Sequence, residues 1–186
     1  MLGTTRRKLD AASRIRDFNR ANSFADPNQV AVATRFGELV DTVRALAVEE
    51  DSGRIGAAAA VRLRRALRQE AFDQLRLISV VGSVAAQDAP SLVGKLAAPR
   101  FGRAYAGFLA RSFALLAEAK AAEAALLANG LPQGTVDRLA TLLTELEAAT
   151  EQVSLHRRAH VGARASLKST SSTLSELATL LDALNR

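Results

Sequence analysis

At 186 residues with 48% hydrophobic content, the chain suits one domain with a real core, which excludes wholesale disorder. There are no cysteines, which excludes disulfides, thiolate metal sites and thiol nucleophiles and suits a reducing compartment, so a cytoplasmic location is expected. The formal charge is +6, and 21 of the 25 basic residues are arginine; such a balance favours polyanionic partners, but it also simply keeps a protein in solution.

Alanine is abundant, aromatics make up 4%, and only four prolines and eleven glycines punctuate the chain. Alanine, leucine, arginine and glutamate lead the helix propensity scale, so the expected fold is all-α. At the start, TRRKL superficially resembles a twin-arginine export signal. Asp10, Arg14, Arg16 and Asp17 stand where that signal needs a long apolar core, so no export is expected from it and a helix near 4–23 is. Asp26 before Pro27, with Gln29 in capping-box position, starts a second helix, 27–49. A turn is expected at EEDSG, 49–53, and a third helix over 54–88. Within that helix LRLISVVGSV, 75–84, has a strand-like composition but no partner strand, and reads as a helix segment buried on most sides with Gly82 admitting a close neighbour. Pro90 and Pro99 bracket a connector with one or two short helical turns. A fourth helix covers 100–129. Gly130 and Leu131 can close it in a left-handed cap before Pro132 opens the next. No window holds eighteen uncharged apolar residues, so no membrane span is expected.

From residue 132 onward the apolar rhythm is the clearest signal. Leu139, Leu146, Val153, His160, Leu167, Leu174 and Leu181 recur every seven residues, and Leu142, Ala149, His156, Ala163, Thr170, Leu177 and Leu184 lie three further on. This is an a/d heptad seam with unbroken phase, so a single helix over 132–185 is favoured over one broken near 169–172. The expected architecture is an elongated antiparallel bundle of about five helices forming one domain over 1–186, closed by that long C-terminal helix. A helix this long outruns its expected neighbours, which would leave Leu167, Leu174, Leu177, Leu181 and Leu184 free to pair with a partner helix or a second copy.

The only two histidines lie in HRRAH, 156–160. Their spacing resembles that of the zinc metalloprotease motif, but Arg157 occupies the position where the general-base glutamate is required, and no third ligand is nominated. The heptad register instead places both rings on the packing seam, so neither a metal nor another cofactor is expected. ANGLPQGTVDRLATLL, 128–143, resembles the turn and the beginning of a recognition helix in helix-turn-helix DNA binders. That resemblance implies base or backbone contacts from Gln133, Thr135 and Arg138, whereas a plain helical hairpin needs the same glycine and proline.

Basic clusters stand at Arg6, Arg7, Lys8, Arg14, Arg16 and Arg20; at Arg62, Arg64, Arg65 and Arg68; and at Arg157, Arg158, Arg164 and Lys168. They suit charge pairing within a bundle, or a polyanion contacted through its backbone, because few aromatics are available to stack on bases. Phe72, Phe101, Tyr105, Phe108 and Phe113 read as core. With no phosphate loop, nucleophile elbow or diiron motif, the expected role is a non-enzymatic helical scaffold or interaction protein, and the alternative is sequence-independent association with nucleic acid.

Overall fold

The computed structural model describes residues 3–22, 24–99 and 104–184. Among them the fold is all-α, without strands: α1 (Gly3–Ala21), α2 (Pro27–Asp88), α3 (Tyr105–Ala121), α4 (Glu123–Ala128) and α5 (Thr135–Leu184), with a 3-10 turn at Pro90–Leu92. The helices pack on one another as a bundle. The chain divides into two compact units, Met1–Ala57 with Ser154–Arg186, and Ala58–Val153.

The first unit is built from α1, the start of α2 and the end of α5. The Asp26 carboxylate accepts a hydrogen bond from the Asn28 backbone N–H at 2.8 Å, so the expected cap is in place and Pro27 leads the helix. Phe36, Val40 and Val43 on α2 pack with Ala12 of α1 and with Leu167, Leu174 and Leu181 of α5, bordered by Leu9, Ile15 and Leu177. The turn expected at 49–53 is absent, and α2 continues through it. Gly53 has no positive φ. It is a glycine of close approach: an added Cβ would lie 3.1 Å from the His160 backbone nitrogen. Packing therefore outweighs a propensity cost of about 1 kcal/mol. Asp51 and Arg54, paired at 3.3 Å one turn apart, add a helical contact on the same stretch.

The second unit has the larger aliphatic core. Leu75 and Ile78 of α2, Phe108 of α3, Leu126 of α4 and Leu139, Leu142, Leu143 and Leu146 of α5 are all fully buried. The segment 75–84 is helical, as expected, but it is buried on one face only, because Leu77, Val80 and Val84 are exposed. Gly82 does admit a neighbour: a Cβ there would lie 2.6 Å from Leu96 Cδ1 in the connector. The helix expected over 100–129 is two helices separated by Ala122, and its first residues, 100–103, lie outside the described residues, Phe101 among them. Phe108 is core and Phe72 and Tyr105 border it, whereas Phe113 is at the surface. Helix α4 closes as a Schellman motif: Gly130 has φ +92°, and Leu131 N–H donates to the Leu126 carbonyl at 3.0 Å while both leucine side chains are buried. Gly134 is also left-handed, at φ +79°, which moves the start of α5 from the expected Pro132 to Thr135. From there α5 is one uninterrupted helix through 169–173.

Candidate functional site

Both histidines belong to the α2–α5 packing layer of the first unit. His156 faces Gly56, where an added Cβ would lie 2.7 Å from the ring, and His160 faces Gly53. The pairing runs in opposite directions along the two helices, so each ring occupies the room that a missing side chain leaves in an antiparallel crossing. His160 Nδ1 lies 3.3 Å from the Glu50 carbonyl oxygen and 3.5 Å from its Oε1, and Glu50 is buried. The Glu50 carbonyl can only accept, so the tautomer that carries the proton on Nδ1 is the one that makes this hydrogen bond. Among the described residues, no three His, Cys, Asp or Glu side chains gather to hold a metal ion.

The leucine seam is covered by the chain's own helices. Leu167, Leu174 and Leu181 are buried in the first unit's core, and Leu177 and Leu184 are half-buried. The expectation of a seam standing free for another chain is corrected by this burial: α1, which the heptad reading did not place, and the start of α2 lie against it.

The α2 arginines do not form one surface. Arg62 and Arg65 are exposed, whereas Arg64 stacks on Tyr105 at 3.9 Å from the ring centroid, and Arg68 is buried over Tyr105 and Phe108 at 4.5 and 4.8 Å. Two of the four nominated polyanion contacts are thus occupied by aromatic faces, an arrangement favourable in its own right. On α5, Arg157, Arg158 and Arg164 are all exposed.

The would-be DNA contacts are not assembled as the helix-turn-helix resemblance implied. Arg138 donates through both Nε and Nη2 to Glu70 Oε1, and this hydrogen bond holds the guanidinium's pKa above its ordinary value. Thr135 is buried, its hydroxyl donating to the Pro132 carbonyl at 2.7 Å. Gln133 is exposed. The helix that follows the turn is 50 residues long and buries Leu139, Leu142 and Leu146, so it serves as core and not as a compact recognition helix.

Three features escaped the sequence reading. Glu50 sits beside His160; the glycine pair at 53 and 56 answers the histidine pair; and a cleft of about 330 Å³ opens between α1 and α2, bordered by Arg16, Asn19, Phe24, Thr34 and Asp41. Only the second left a signal, since two small residues one turn apart match two rings one turn apart on an antiparallel neighbour. Within the cleft wall, Arg16 bonds to Asp41 at 2.8 Å and to Asp17 at 3.1 Å.

None of the described helices is long and apolar enough to cross a membrane. The chain matches no protein-family model, no curated protein and no solved structure.

Proposed function

We propose that this chain is a non-catalytic helical scaffold that works by binding another amphipathic helix, a second copy being the first candidate. The observation that carries the reading is a second apolar face on α2. Leu75 and Ile78 turn inward in the second unit, yet Leu77, Val80 and Val84, spaced as one helical face, are exposed. In the first unit Phe36, Val40 and Val43 turn inward, while Val48 and Ile55, two turns apart, are 70% and 60% exposed. Val48 borders a cleft of about 520 Å³ shared with Ala45, Ser52, His156 and Ala159. A helix that buries one stripe normally offers water a polar outer face, and apolar rows beyond single scattered residues mark interaction surfaces. The cysteine-free composition supports placing this work in the cytoplasm.

Sedimentation velocity from micromolar to submillimolar protein tests the reading. The native chain is expected to associate with increasing concentration, and Val48→Glu with Ile55→Glu, or Leu77→Glu with Val80→Glu, is expected to abolish this. A monomer at every concentration would overturn self-association as the mode of action.

A further inference from the structure

A second surface, independent of the apolar rows, is carried by α5. Over residues 154–175 the helix contains no aspartate or glutamate, but it has Arg157, Arg158, Arg164, Lys168 and both histidines. The rings turn inward against Gly53 and Gly56, which leaves the permanent cations outside. Arg157, Arg164 and Lys168 follow one another at intervals of seven and four, so they share one helical face. At 1.5 Å per residue they span roughly 16 Å along the axis. All three are exposed.

Several cations elsewhere have a carboxylate partner: Arg16 with Asp41, Arg54 with Asp51, Lys95 with Glu118, Arg138 with Glu70. No carboxylate among the described residues pairs with Arg157, Arg158, Arg164 or Lys168. Helix α1 adds to this face. Lys8 borders a cleft of about 460 Å³ with Ala165, Lys168, Ser169 and Ser172, which brings a fourth cation and two hydroxyl-bearing residues to the end of the row. Neither α1 nor α5 supplies an aromatic ring to that cleft, and the row itself contains none.

We propose that Arg157, Arg164, Lys168 and Lys8 form a binding face for the phosphate backbone of double-stranded nucleic acid, read without regard to base sequence. A line of cations without a carboxylate partner among the described residues, with the Ser172 hydroxyl at its end, matches a regularly charged backbone. The lack of rings removes the stacking on which single-strand binders depend, and cations in a row suit phosphate oxygens, which every sequence presents alike. The one large apolar side chain exposed between Arg157 and Lys168, Val161, gives little to insert into a lipid surface.

The test is fluorescence anisotropy of the full chain with a labelled duplex of random sequence over a salt series. Four phosphate contacts predict affinity falling roughly a hundredfold between about 50 and about 200 mM salt. The triple variant R157Q/R164Q/K168Q is expected to lose most of that binding and most of the salt slope, with an unchanged melting temperature because all three side chains are exposed. K8Q alone should lower the slope by about one phosphate contact. R62Q/R65Q, on exposed positions of α2, should bind as the native chain does. Failure to bind at the lowest salt, full affinity in the triple variant, equal loss in R62Q/R65Q, or binding to anionic phosphatidylserine vesicles but not to duplex would each overturn the proposal. None of these readouts depends on the oligomeric state that tests the scaffold reading.

Discussion

The two units are assembled from the same pair of long helices, yet their interiors are made differently. In Ala58–Val153 the α5 seam presents Leu139, Leu142, Leu146 and Ala149, packed in one cluster with residues of α2, α3 and α4, and then Val153, which is also buried. In the other unit the same seam continues as His156, His160, Ala163, Leu167, Thr170 and Leu174, with buried Glu50, Arg16, Asn19 and Ser171 nearby in the unit. One heptad rhythm therefore lines two kinds of interior: along the first stretch of the α5 seam the inward side chains are all aliphatic, and along the second they include two imidazoles, one of them beside a buried carboxylate. The period fixes which residues face inward; only their chemistry decides how much stability each contact returns.

Truncating the seam on either side sharpens this contrast most. Leu142→Ala removes a fully buried side chain from the aliphatic unit and is expected to cost about 3–5 kcal/mol, while Leu174→Ala, in the smaller core, is expected to cost about 2–3 kcal/mol. Urea unfolding measures both, and equal losses would erase the distinction between the two interiors. The glycine notches come next. In Gly53→Ala the new methyl would meet the His160 backbone nitrogen at 3.1 Å and Cα at 3.3 Å, and because a backbone yields little, a loss of about 1–3 kcal/mol is expected. Gly56→Ala meets only the His156 ring, which can turn aside. Its loss is expected to be smaller and to vanish when His156→Ala is added, a comparison that a double-mutant cycle reads directly.

Smaller again is Arg16→Ala. The guanidinium is 10% exposed but its partner Asp41 is 59% exposed, so a loss of about 1 kcal/mol is expected by thermal unfolding. Arg138→Ala sits at the bottom of the scale. Its pair with Glu70 is open to solvent, and no measurable change in melting temperature is expected, in contrast to the changes in the core of the same unit.

Much of this architecture was legible in the residues. The heptad count found α5 and its inward face, Asp26 and Pro27 announced α2, and Gly130 with Leu131 announced the end of α4, because each rests on local geometry that sequence spacing records. The continuity of α2 was not legible. Gly53 in EEDSG carries the composition of a turn, and its role becomes visible only once His160, more than a hundred positions away, is packed on it. The same holds for the covered leucines and the divided arginines. Spacing placed Leu174 and Leu181 on one apolar seam and Arg64 and Arg68 in one basic cluster, but it did not tell that α1 would lie on the first pair or Tyr105 beneath the second.

The ring-in-notch pairing also acts as a vernier. Sliding α5 by one heptad toward the start of α2 would bring the two imidazoles against Leu46 and Glu49, and sliding it the other way would bring them against Ala60 and Leu63. A repeat built from leucines alone tolerates such slippage, since every seventh position looks alike. Two bulky groups with only one matching pair of gaps single out one alignment, so the glycines select the register in which two otherwise periodic rods come to rest.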